Sequence, residues 1–85
     1  MKQKIFSVYD TKLEAYMQPF FFTAKGQALR AFADLSNDTK TSIGQHPEDY
    51  CLFEIGEWDD QKAMLTPLKA PIALGNAIEY IKKEQ

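Results

Sequence analysis

An α+β fold is predicted for this chain: an antiparallel sheet with two helices packed on one face, in the order β-β-α-β-β-α. Three observations predict it. Apolar runs of strand length come in two pairs, each pair joined by a turn rich in Asp. Each pair is followed by a glycine-led run with apolar residues at helical spacing. The two units also resemble one another at a shift of 49 residues, which sets Phe6-Ser7-Val8-Tyr9-Asp10 on Ile55-Gly56-Glu57-Trp58-Asp59 and Gly26 on Gly75. A ββα pseudo-repeat within one domain, residues 1–85, is therefore expected.

The first strand is read from the alternation of residues 4–10, with Phe6 and Val8 on one face and Ile5, Ser7 and Tyr9 on the other. Asp10-Thr11-Lys12 has turn chemistry, because an Asp side chain bonds backbone two residues on. Residues 15–22 return as a strand interrupted at Pro19, which marks an edge or a bulge. Residues 23–37 follow as a helix. Thr23 is its expected N-cap, and Ala28, Leu29, Phe32, Ala33 and Leu35 form its apolar stripe. Residues 38–48 are polar and irregular, with a short extra turn expected at Thr41-Ser42-Ile43.

Residues 49–58 are apolar on both faces, which marks a central strand. Cys51, Phe53 and Ile55 are expected on one side, and Tyr50, Leu52 and Trp58 on the other. Asp59-Asp60-Gln61 makes the second turn. A short strand over residues 62–66 is expected to stop at Pro67, and a last helix to run over residues 74–83. In that helix Leu74, Ala77, Ile78 and Ile81 form the buried stripe, with Lys82 and Lys83 at the C-terminal end of the dipole.

Net charge is −2, so no global basic field attracts nucleic acid. The sign is uneven. Residues 1–43 carry six cations against four carboxylates, and residues 44–85 carry four against eight. A polyanion would meet the first half, where Lys2, Lys4, Lys12, Lys25 and Arg30 are the candidate nucleic-acid contacts. The single cysteine, Cys51, allows no internal disulfide and lies in an apolar run, as a buried inert thiol does. Neither a signal peptide nor a membrane-spanning run is expected.

No reaction is spelled out. There is one His and one Cys, without a phosphate-binding glycine loop or a paired-His motif. His46 and Cys51 flank Glu48 and Asp49, but a closed zinc site needs four ligands, and a surface histidine before Pro47 is the expectation. Glu54, Glu57, Asp59 and Asp60 are expected to solvate a hairpin tip. Thr23-Ala24-Lys25-Gly26 opens a helix and has the makings of an anion site, but Gly26 and Gly75 are more simply read as letting each helix start close to the sheet. Catalytic, cofactor and metal residues are accordingly not assigned.

With both helices on one side, Phe6, Val8, Phe53 and Ile55 are expected in the core. Ile5, Tyr9, Leu52 and Trp58 are expected on an open face. Such a face is a homodimer or partner interface. Its competing use is a platform for stacking unpaired bases, flanked by Lys2, Lys4 and Lys12. The acidic second half favours protein contact.

The blocks Phe6-Ser7-Val8-Tyr9-Asp10-Thr11-Lys12, Glu14-Ala15-Tyr16 and Pro19-Phe20-Phe21 resemble the start of the small nonstructural protein of gokushovirus-type microviruses, tailless phages with circular single-stranded DNA genomes. The likeness continues through Lys25-Gly26, Arg30-Ala31-Phe32 and Asn37-Asp38. It is clearest at His46-Pro47-Glu48-Asp49-Tyr50, Leu52-Phe53 and Gly56-Glu57-Trp58-Asp59-Asp60. The resemblance implies a non-virion protein of the infected bacterial cytoplasm, and the lack of an active-site constellation in the sequence agrees with a non-enzymatic role. Its implied role lies in single-stranded DNA genome replication or the coupling of replication to packaging. The expected partners are a second copy of the chain, single-stranded DNA, or a viral or host replication protein. A pure interaction adaptor without nucleic-acid contact is the alternative.

Overall fold

The structure, a computed structural model, describes residues 1–82. Five antiparallel strands form one sheet: β1 (Lys2–Asp10), β2 (Ala15–Tyr16), β3 (Phe20–Phe22), β4 (Tyr50–Asp59) and β5 (Met64–Asn76). Strand β1 lies between β4 on one side and the short β2 and β3 on the other, and β5 completes the sheet beyond β4. Two helices, α1 (Lys25–Ser36) and α2 (Ser42–Gln45), join the halves, and 3-10 turns occupy Pro47–Asp49 and Ala77–Tyr80. The α+β antiparallel class holds.

The return strand breaks at the expected place. Pro19 has no N–H to give, and β2 and β3 meet β1 on either side of residues 17–19. Ser7 is buried there, and its hydroxyl donates to the Met17 carbonyl at 2.6 Å, so this buried polar side chain is paired at the break.

Register decides which residues form the core. Val8 pairs with Leu52, and Ser7 with Phe53. Directly paired residues share a face, so Leu52 joins Phe6 and Val8 beneath α1, with Ala28, Phe32 and Ile43. Phe53 lies on the other face. This corrects three expectations, Phe53 and Ile55 in the core and Leu52 on the open face, since Ile55 is only half-buried and stands outside the buried cluster. Their alternation along β4 was legible, but its phase relative to β1 was not, and a slip of one residue exchanges the faces of a whole strand. A bulge follows: Phe6 pairs with Glu54 but Ile5 with Gly56, which leaves Ile55 as the extra residue. The bulge returns Trp58, opposite Gln3, to the face of Phe53.

In α1 the buried positions are Ala28, Phe32 and Ser36, four apart, while Leu35 stays 40% exposed. The helix begins one residue later than expected, with Ala24 at the cap. Gln27 serves there instead of Thr23, its Oε1 accepting from the Ala24 N–H at 3.0 Å and the Thr23 hydroxyl at 2.8 Å. The extra turn expected at residues 41–43 is α2, capped by Thr41, whose hydroxyl accepts from the Gly44 N–H at 3.0 Å.

The second unit departs from the repeat. Strand β5 does not stop at Pro67. It runs through Pro67 and Pro71 because its outer edge has no partner strand among the described residues that needs their missing N–H groups. Between Pro67, opposite Gly56, and Ile72, opposite Glu54, residues 68–71 bulge over Ile55. The helix expected over residues 74–83 is absent among the described residues, and Lys83 lies outside them. Leu74 belongs to β5, Gly75 has φ of 126°, outside the helical region, and a 3-10 turn over Ala77–Tyr80 replaces the helix. The second helix of the fold is α2.

Asn37 ties this last segment to α1. Its side-chain amide donates to the carbonyls of Ala33 (2.7 Å) and Tyr80 (2.9 Å), and its oxygen accepts from the Lys82 N–H at 2.8 Å. Three bonds converge on one exposed side chain, each with a net worth near 1 kcal/mol or less in water. Asn37→Ala is expected to lower unfolding free energy by about 1–2 kcal/mol. Urea denaturation measures the loss, and the Lys82 amide should exchange faster in the variant.

Candidate functional site

The open sheet face is built by the residues that register sends away from the helices. At one end Tyr9, Tyr16 and Phe53 meet edge-to-face, with ring centroids 4.8, 5.5 and 6.5 Å apart. At the other end Phe21 meets Trp58 at 6.5 Å. Between β3 and β5 runs an apolar groove of 210 Å³ over Ile5, walled by Pro19 and Phe21 on one side and by Leu65 and Pro67 on the other. A second hollow of 370 Å³, lined by Gln3, Phe21, Trp58 and Leu65, continues it toward the hairpin end. No charged side chain lines either hollow among the described residues. Leu65 is 60% exposed, Met64 53% and Phe21 41%.

Charge is sorted onto the opposite face of the same strands. Lys2 reaches Glu57 and Lys4 reaches Glu54, each at 3.6 Å. The N-terminal ammonium pairs with Asp60, and Asp59 accepts from the Gln61 N–H in the turn. The four carboxylates of this hairpin thus hold local structure together, and two of the five candidate nucleic-acid cations are partnered by them. The other three are scattered: Lys12 lies in the β1–β2 turn, Lys25 in the first turn of α1, and Arg30 in the middle of α1, all exposed. No single stripe contains the five.

The expected interface residues divide. Tyr9 and Trp58 are half-buried on the open face, and Ile5 is buried in the floor of its groove. Leu52 is fully buried under α1 and presents nothing to a partner. Sequence reasoning missed Phe21, Leu65 and Pro67. The Phe20-Phe21-Phe22 run held part of the signal, since alternation there sends Phe20 and Phe22 to the core and Phe21 outward.

A larger hollow, 550 Å³, lies elsewhere, over Asp10, Lys12, His46, Glu48, Asp49 and Tyr50. His46, Glu48 and Asp49 place ligand atoms within 4.8 Å of one another, and Cys51 is not among them. His46 and Glu48 are exposed, and all three come from one turn, so the arrangement is that of a solvated acidic loop. Burial, reinforced by the negative charge of Asp10, raises the pKa of the Tyr50 hydroxyl. Burial likewise raises that of the Cys51 thiol, which is half-buried rather than buried as expected. No helix among the described residues is long and apolar enough to cross a membrane.

Residues 3–80 match the model of a family described as Phage ORF5 protein. The chain is also similar to Protein ORF5 of Chlamydia phage 1, with 32% identity over 80 residues that cover 88% of this chain and 83% of the relative. No solved structure matches it.

Proposed function

Because the chain belongs to the Phage ORF5 protein family, we propose that it is a non-enzymatic accessory protein of a phage. It acts in the host bacterial cytoplasm, in single-stranded DNA genome replication or the coupling of replication to packaging, and works by docking on another protein. The observation that carries this reading is the uncharged apolar groove between β3 and β5, rimmed by exposed Phe21 and Leu65. Aromatic and large aliphatic side chains around a neutral hollow are anchors for protein contact, not for phosphate. In cells infected with phage carrying Leu65→Asp, single-stranded progeny DNA should fall several-fold while double-stranded replicative DNA still forms. Normal amounts of both would remove this reading.

A weak single-strand-binding activity is the second reading, supported by Lys12, Lys25 and Arg30, which stand exposed and in no ion pair among the described residues. Salt dependence gives it a quantitative form. Three phosphate contacts predict a slope of log K against log salt of about −2, and five contacts about −3.5. With Lys2 and Lys4 held by carboxylates, the shallower slope is expected in a fluorescence-anisotropy titration. Lys25→Glu should weaken binding further, and no binding at low salt eliminates the activity.

A further inference from the structure

We infer that the groove between β3 and β5 is covered by the same groove of a second copy of this chain, in a two-fold face-to-face dimer centred on Leu65 and Phe21. The inference rests on reading this face as a docking surface, and names its occupant.

Surface area gives the first argument. A compact monomer of 9.7 kDa should expose roughly 5,100 Å². This chain exposes 6091 Å². The difference, about 1,000 Å², is comparable to the roughly 800 Å² that each partner loses in a stable interface. The shape agrees: extents of 46 × 27 × 20 Å and a radius of gyration of 13.4 Å, against about 11.9 Å for a compact domain of this length.

Charge gives the second. Every ion pair among the described residues involves hairpin carboxylates away from the two hollows, which are lined by apolar residues and the neutral Gln3 and Thr66. A neutral surface offers no electrostatic choice between partners, so its best match is another neutral surface with complementary relief. The chain carries both halves of that relief together, a groove over Ile5 and a projecting Leu65 at its rim. A two-fold axis lets each Leu65 enter the partner's groove, since an isologous contact pairs a patch with itself.

The sheet edges are poor alternatives. The outer edge of β5 lacks N–H donors at Pro67 and Pro71, and the opposite edge is two short strands parted at Pro19. A copy can therefore stack on the face more readily than it can extend the sheet.

Sedimentation of the full chain across a micromolar to millimolar series should show a two-chain mass. Trp58, the sole tryptophan, lies at the groove's end, and its emission should shift to the blue as the dimer fills. Leu65→Asp should return a folded one-chain species with red-shifted emission. Leu13→Asp, at a 73% exposed position in the β1–β2 turn, should leave the dimer intact. A one-chain mass throughout the series overturns the inference, as does a dimer that Leu65→Asp does not weaken. The docking reading fails separately. If the wild-type chain is monomeric yet Leu65→Asp still depresses progeny DNA in infected cells, the face binds a different protein. If the chain is dimeric and progeny DNA is unaffected, the dimer stands without the replication role.

Discussion

Leu52→Ala is expected to cost about 3 kcal/mol of unfolding free energy, a large part of the roughly 4–13 kcal/mol available to a domain of this size. Leu52 has no exposed surface and sits between β1 and α1, against a cluster that includes Phe6, Val8 and Phe32. Removing its isobutyl group loses the transfer free energy of the side chain and leaves a void. The central strand that carries Leu52, hydrogen-bonded on both sides, cannot collapse to fill that void. Leu52→Asp is expected to leave no folded protein, because the charge has no route to water. Phe53→Asp tests the register from the neighbouring residue. Phe53 meets Tyr9 and Tyr16 edge-to-face at the open face, where a carboxylate reaches solvent. A folded protein destabilised by about 2 kcal/mol is expected there. Chemical denaturation of the three variants orders them. A folded Leu52→Asp beside an unfolded Phe53→Asp would mean that β4 pairs one residue out of the described register.

That register was the main thing the sequence could not convey. Each strand's alternation was plain, as were the break at Pro19, the helix carrying Ala28 and Phe32, the turn near Thr41 and the chemistry of both hairpin turns. Alternation fixes which residues of one strand share a face, but not which of them meets Val8. The Ile55 bulge added a second shift of phase that no local pattern announced. Proline misled for a related reason. In sequence Pro67 marks a strand end, although at an outer edge it costs the ladder nothing. The glycine-led run after it matched a helix only until backbone geometry at Gly75 was known. The open face was legible as a kind of surface, while its centre lies at Leu65 and Phe21, residues with no distinguishing motif. The cations were legible one by one, but their sorting was not. Lys2 and Lys4 meet Glu57 and Glu54 only once β1 and β4 are paired.

Gly44→Ala is expected to be as damaging as the core truncation, with a loss of about 3 kcal/mol or more. A Cβ at position 44 would lie 1.9 Å from the Asp38 carbonyl oxygen and 2.5 Å from its carbon, and 3.1 Å from the Leu35 carbonyl oxygen. All three atoms belong to backbone, so no side chain can rotate away. Relief requires α2 to move as a unit from the end of α1. That movement would break the bonds from the hydroxyl of Thr41, the cap of α2, to the carbonyls of Leu35 and Asp38. It would also withdraw Ile43, 5% exposed, from the cluster it shares with Phe32 and Tyr50. The damage should therefore spread to the start of β4 rather than stay in the loop. Hydrogen exchange is expected to show lost protection at Gln45 and His46, whose N–H groups bond to Thr41 and Ser42, and then at residues 50–52. Gly26→Ala supplies the control, since a Cβ there meets nothing within 4 Å. In α1 that change should raise stability by about 0.5–1 kcal/mol. Equal stability of the two variants would show that the junction between α1 and α2 is looser than the Gly44 contacts require.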